Sequence, residues 1–190
     1  MLSALRKAFT ASEINERVGL FHGEFDIDKG CSEEDLRNAA CTSIALEKMV
    51  QSHDLGSLAY FYSGSGIREN EDSISTIILA NSLLTSRGIP VAGEYEIKNV
   101  QAMKIMDCFG AGGSFTEFYA LDFNDDVVLM GHDGPGHIAI AQGKTKVKPL
   151  DVYHGKVGRG LSVEMSVKHG EITLLSVVEN RGGKLKLLVA

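Results

Sequence analysis

Residues 57–92 read SLAYFYSGSGIRENEDSISTIILANSLLTSRGIPVA, and their punctuation decides the fold class. Ser57–Tyr62 is a short apolar and aromatic run stopped by Ser63-Gly64-Ser65-Gly66, the pattern of a buried strand ending in a turn. Ser73 is placed to cap a helix over Ile74–Arg87, which Gly88 closes and Pro90 forbids from continuing. Ile89–Ala92 then reads as a second short strand. Strand, helix and strand in this order predict a right-handed βαβ crossover, and with it a parallel-sheet α/β domain with helices on its faces. A glycine loop after a strand can cradle a phosphate. Here the lysine of a Walker motif is missing and Glu69, Glu71 and Asp72 repel an anion, so a plain or regulatory loop is the better reading.

Upstream, Thr10 with Glu13 and Ser32 with Asp35 have the spacing of capping boxes. The second opens a helix whose apolar face comprises Leu36, Ala40, Ile44 and Leu46–Val50, and which ends near Gln51-Ser52-His53. His53 there is a last-turn histidine near the negative helix end. The acidic stretch His22–Lys29 lacks the ligand spacing of a calcium loop and reads as a solvated turn. Downstream, Glu96–Phe109 is a helix with Ile97, Val100, Met103, Ile105 and Met106 on its buried side. Phe118–Phe123 is a strand, Asn124–Asp126 a turn, Val127–Met130 a buried strand and Ile138–Ala141 one more. From Gln142 onward short alternating strands are separated by glycine and lysine turns: Leu161–Val167, Ile172–Val178 and Leu185–Val189. This predicts two units, an α/β domain over residues 1–143 and an antiparallel β meander over 144–190, the latter part of a β-barrel-like C-terminal domain. The chain stops at Val189-Ala190 in mid-strand with no polar tail or covering helix, which implies a truncated or split gene product.

A length of 190 residues with 44% hydrophobic content supports a real core. The formal charge of −6 and a pI near 5.5, with no Lys/Arg run, argue against a nucleic-acid partner. Cys31, Cys41 and Cys108 form no CxxC pair. Cys31 and Cys41 flank one helix, and ten helical positions span about 15 Å, too far for a disulfide. Reduced thiols, an N-terminal apolar run too short for a signal peptide and no membrane-spanning stretch together predict a cytoplasmic protein without a membrane partner.

The chemistry-bearing residues lie at Gly93–Ala141, in GEYEIK, GGSFTEFY and DVVLMGHDGPGHIAIA. Glu94 follows a strand, beyond whose carboxyl end ligands gather in a parallel sheet. It is either a ligand or a charge favouring the N-terminus of the following helix. Glu117 sits between glycines and aromatics, an environment that suits function better than solvation. His132 and His137 bracket Asp133-Gly134-Pro135-Gly136, a loop too polar for core packing. On spacing alone either histidine is a metal ligand and the other a hydrogen-bonding partner behind it, and Asp133 is a third carboxylate or an orienter of a histidine. Tyr153-His154-Gly155-Lys156 reads as a turn, with substrate contact as the sharper option. Carboxylates with an imidazole suit Mn²⁺, Mg²⁺ or Co²⁺ better than thiolate-held zinc.

These three motifs, in this order, resemble the L-fucose/L-arabinose isomerase superfamily, closest to its L-fucose isomerase-like members, across nearly the whole chain. The resemblance implies an aldose–ketose isomerase that uses Mn²⁺ and an ene-diol route on a monosaccharide and works as a homo-oligomer. It implies that Glu94, Glu117 and His132 are metal ligands and that Glu94 and Glu117 also form the acid/base pair. His137 matches no ligand of the pattern and is left as a supporting residue. The family's additional N-terminal α/β domain, and a late histidine ligand beyond the meander, have no counterpart here, so low activity of the chain alone is expected. Two other readings stand beside this one. One is a non-catalytic carbohydrate-binding or assembly module on the same fold, and the other, weaker, is a metal-dependent hydrolase.

Overall fold

The computed structural model describes residues 1–63, 65–153 and 156–190. Gly64 of the glycine turn, and His154 and Gly155 of the Tyr153–Lys156 cluster, lie outside them. In chain order the elements are helices α1 (Leu2–Leu5) and α2 (Ala11–Glu24), strand β1 (Asp26–Ile27), helix α3 (Glu33–Ser52), strand β2 (Leu58–Ala59), helices α4 (Arg68–Ser75) and α5 (Ile78–Ser86), strand β3 (Val91–Ala92) and helix α6 (Ile97–Cys108). Strands β4 (Glu117–Asp122) and β5 (Val127–Gly131) follow, then a 3-10 turn over Ile138–Ile140 and strands β6 (Lys146–Tyr153), β7 (Lys156–Glu164), β8 (Leu175–Glu179) and β9 (Leu185–Val189). The architecture is mixed α/β with several small sheets.

Local grammar starts the two long helices. Both capping boxes form: the Thr10 and Ser32 hydroxyls accept from the amides of Glu13 and Asp35, whose carboxylates reach back to the cap amides. Each box satisfies two otherwise orphaned donors. The region of residues 57–92 keeps its expected order, with β2 and β3 paired in parallel, Leu58 against Val91 and Ala59 against Ala92. The paired portions are shorter than the apolar runs predicted.

The helix expected over Ile74–Arg87 is instead two helices, and Ser73 lies inside the first rather than capping one. Hydroxyls explain the break. Ser73 Oγ donates to the Glu69 carbonyl at 2.8 Å and Thr76 Oγ1 to the Asp72 carbonyl at 2.7 Å, so side chains compete for carbonyls at the end of α4. Thr76 Oγ1 also meets Thr42 Oγ1 of α3 at 2.6 Å in a buried contact. At the same joint β7 passes so close that any side chain at Gly160 would overlap the Ser75 carbonyl.

Long-range pairing closes the core. β6 pairs in parallel with β1 and antiparallel with β7, and Val147 and Leu161 of these strands share one apolar cluster with Phe21, Phe25, Leu79 and Leu83. The first two strands of the C-terminal part therefore pack directly on α2, α3 and α5. A second cluster joins Leu46 and Val50 to Ile77, Leu84 and Val91. On α6 the buried residues are Val100, Ala102 and Met103, while Ile97 is exposed and Ile105 and Met106 are half-buried.

Three further expectations change. Val127–Met130 is a strand but not a buried one, since β4 and β5 form a two-stranded antiparallel ribbon with an outward apolar surface. Ile138–Ala141 is a 3-10 turn followed by a single bridge between Ala141 and Val167. The strand expected from Leu161 begins earlier and ends at Glu164. β8 and β9 form an antiparallel hairpin, and no closed barrel is formed among the described residues.

Candidate functional site

Ribbon register brings two of the sequence candidates together. Glu117 opens β4 directly opposite Gly131, the last residue of β5, so His132 emerges beside it. His132 Nδ1 stands 3.3 Å from Glu117 Oε2. The imidazole is 7% exposed and the carboxylate 37%, so one partner is fixed in protein and the other faces solvent. Phe115 meets the imidazole edge to face, with ring centres 4.5 Å apart.

Two glycines make the slot for this ring. A β-carbon at Gly93 would stand 3.0 Å from both Cε1 and Nε2, and one at Gly134 would overlap Nε2. Only the absence of a side chain at both positions lets the backbone close on the ring. Nδ1 faces the Glu117 carboxylate, and Nε2 is buried without a hydrogen-bond partner among the described residues.

Tyr119, which the sequence reading did not single out, belongs to the same place. Its ring lies over Gly131, where a β-carbon would be 3.1 Å from Cε2. Its pKa is raised by partial desolvation first and then by the charges of Glu117, Asp133 and Glu94, against a backbone hydrogen bond from Asp133. The phenol therefore feels three carboxylates and stays protonated. Two residues past Glu117 on a strand is the signal that could have found it.

Glu94 and Asp133 are thus within electrostatic reach of Tyr119, and both are exposed. Glu94 follows β3 on a backbone that turns left-handed for two consecutive non-glycine residues, with φ of 56° at Glu94 and 61° at Tyr95. Such a conformation costs about 1–2 kcal/mol per residue. It is held in part by the Tyr95 amide, which donates to the Tyr60 carbonyl at 2.9 Å. Among the described residues no three His, Cys, Asp or Glu side chains converge as a metal-holding group.

His137 lies apart from this pair. Its ring packs on Gly112, its amide donates to Ser114 Oγ at 3.2 Å, and Nδ1 is buried without a partner among the described residues. Burial lowers its pKa, against smaller raising effects of a backbone hydrogen bond and Asp107, so it is neutral near pH 7. The neighbouring Gly136 amide donates to Ser82 Oγ of α5 at 3.1 Å. The loop from His132 to His137 is therefore pinned to the helical core. The clefts lined by Glu24, Arg87 and Lys144, and by Asp26, Asp28 and Lys148, lie away from Glu117 and His132.

No protein-family model matches the chain, and no curated protein is significantly similar to it. Among the described residues no helix is long and apolar enough to cross a membrane.

Proposed function

We propose that the chain carries out metal-assisted aldose–ketose isomerisation of a small monosaccharide in the cytoplasm, in the manner of the L-fucose/L-arabinose isomerases it resembles. The observation that carries this reading is the Glu117–His132 pair. Its separation of 3.3 Å is short enough for both side chains to hold one ion. An oxygen and an imidazole nitrogen also form a donor set for Mn²⁺, Mg²⁺ or Co²⁺. The ligating nitrogen would be Nδ1, because Gly93 and Gly134 close the space at Nε2. Glu94 and Asp133 are the further carboxylates that support the reading.

The bound ion would hold adjacent sugar oxygens and polarise the carbonyl. Glu117, open on its solvent side, would take the proton from C2 as the C1–C2 double bond of the ene-diol forms, and return it to C1 as the C2 carbonyl forms. The O2 proton moves to O1, so the sum is aldose to ketose with no net redox change. Glu94 would serve as the acid/base partner for the oxygens. His132, clamped by Phe115 and the two glycines, keeps the Glu117 carboxylate aimed. The free thiols of Cys31, Cys41 and Cys108 accord with a reducing compartment.

Mn²⁺ titration of the full chain, followed by thermal melting and by the electron paramagnetic resonance of free Mn²⁺, tests the reading. Saturation should raise Tm by about 5–10 °C, and Glu117→Ala should abolish the shift. Melting and resonance unchanged by Mn²⁺ would sink the proposal. The exposure of Glu94 favours a second reading, a non-catalytic carbohydrate-binding module. Binding of an L-aldose without any ketose formed would select it.

A further inference from the structure

Where α5 ends, the chain leaves a cleft of about 260 Å³ lined by Ser86, Arg87, Gly143, Lys144 and Thr145, with Glu24 at the end of α2 as its carboxylate. The backbone turns left-handed at Gly143, with φ of 83°. The amides of Gly143, Lys144 and Thr145 donate to no backbone carbonyl among the described residues. Successive amides at such a turn are the elements of an anion-binding nest. Thr145 is buried, and its hydroxyl meets only the Met165 thioether, at 3.9 Å, a weak acceptor. Lys144 Nζ donates to the His22 carbonyl at 3.1 Å, and Lys168 Nζ donates at 3.2 Å to the carbonyl of Ala139, which also lines the cleft. Each ammonium has three donors, so neither is used up. Arg87 Nη1 stands 3.7 Å from Glu47, whose carboxylate is held more closely by Arg17. A chain of net charge −6 thus gathers three cations around one small hollow.

We infer that this cleft binds the phosphate group of a small phosphorylated polyol. The planar guanidinium of Arg87 can meet two phosphate oxygens at once, Lys144 supplies a point charge, and the Gly143–Thr145 amides supply fixed donors. The negative end of α5 does not forbid an anion, because its last carbonyls are taken. Ser86 Oγ donates to the Leu83 carbonyl at 2.8 Å, the Arg87 and Ile89 amides to that of Leu84 at 3.0 Å, and the Gly88 amide to that of Thr85 at 3.3 Å. Size and lining narrow the ligand. The volume falls below the roughly 300–1,000 Å³ of sites for drug-sized molecules, and no aromatic side chain lines the cleft among the described residues, so a nucleobase has nothing to stack on. Glu24 repels a second anionic group but accepts from a hydroxyl, which favours a polyol ester. The cleft lined by Asp26, Asp28 and Lys148 does not compete for this role, since two carboxylates line it and Lys148 pairs with Glu164 at 2.7 Å. The phosphate cleft lies away from Glu117 and His132, and its ligation does not depend on whether that pair isomerises a sugar.

Amide chemical shifts of the ¹⁵N-labelled full chain test the inference, in titrations with glycerol 3-phosphate, inorganic phosphate and glycerol at constant pH and ionic strength. Glycerol 3-phosphate should give saturable shifts centred on Gly143, Lys144 and Thr145, with a Kd of about 1 mM or tighter. Inorganic phosphate should bind at the same amides more weakly, and glycerol should leave them unmoved. Lys144→Ala and Arg87→Gln should each weaken binding at least about tenfold, and Lys148→Ala in the other cleft should leave it unchanged. The same spectra report whether each variant is folded, and Lys144, exposed on a turn, can be replaced without opening the core. Shifts that do not saturate or that centre elsewhere, affinity unchanged in both cleft variants, or glycerol binding as well as its phosphate would each overturn the site. Tighter binding of inorganic phosphate than of the ester would overturn the polyol assignment.

Discussion

Helix α5 and the β4–β5 ribbon are similarly apolar in sequence and opposite in fate. Every residue from Ile78 to Thr85 is buried, the polar Asn81, Ser82 and Thr85 included. In the ribbon every residue from Phe118 to Leu129 is exposed. α5 lies against α3, β3 and β7, so the chain supplies its cover on all sides. The ribbon leaves the fold after Phe115 and returns at His132, and among the described residues its two strands pair with no other strand. Apolar content says that a segment needs cover, and topology decides whether the same chain provides it. The site lies at the join, with Glu117 on the exposed ribbon and His132 in a slot lined by the core.

The largest expected effect would break or sharpen this contrast directly. Leu79→Ala removes side-chain volume beside Phe21 and Leu83 and should cost about 2–5 kcal/mol in urea unfolding. Leu129→Ala, measured at dilutions where copies stay apart, should fall within about 0.5 kcal/mol of wild type. Comparable losses at both positions would mean that the ribbon is covered within one chain.

A smaller effect is expected at the join. Gly134→Ala places a methyl group on His132 Nε2, and Phe115 on one side of the ring leaves it little freedom to yield. A cost of about 1–3 kcal/mol is expected, with loss of any Mn²⁺-induced Tm shift, because the imidazole can no longer meet Glu117. Gly143→Ala is the control for backbone strain alone, since its φ is 83° but no atom lies within 4 Å of an added β-carbon. Equal losses of stability and metal response in both variants would remove the steric argument.

What was legible in the sequence follows the range of the forces involved. The capping boxes at Thr10 and Ser32 depend on three-residue spacing and were readable. So was the parallel order of β2 and β3, because Gly88 and Pro90 force the return. The break between α4 and α5 was less so, since besides the local Ser73 and Thr76 hydroxyl bonds the joint involves Thr42 and Gly160, far away in sequence. The pairing of Asp26 with Lys146 has no local signature at all. At the site, the turn at Asn124–Asp126 implies that β4 and β5 fold back together, and from that fold-back the meeting of Glu117 with His132 could be derived. Glu94 could not be placed, because its left-handed backbone falls at Glu-Tyr rather than at a residue that prefers it.

The smallest effect concerns the second histidine, on the buried side of the same loop. The folded pKa of His137 lies below its unfolded value because burial disfavours the imidazolium. Between those two values the unfolded chain binds the proton and the folded chain does not, so stability rises with pH across that window. The contribution is complete above the unfolded value of about 6.5 and is lost as pH falls through the folded one. His137→Gln, which cannot titrate, should therefore show a flatter decline in Tm from pH 7 to acid than wild type. Because Nδ1 has no hydrogen-bond partner to lose, the two proteins should differ in slope more than in stability at neutral pH. An unchanged slope would show that the acid sensitivity does not arise from His137 and would remove the buried side of the loop from the pH dependence.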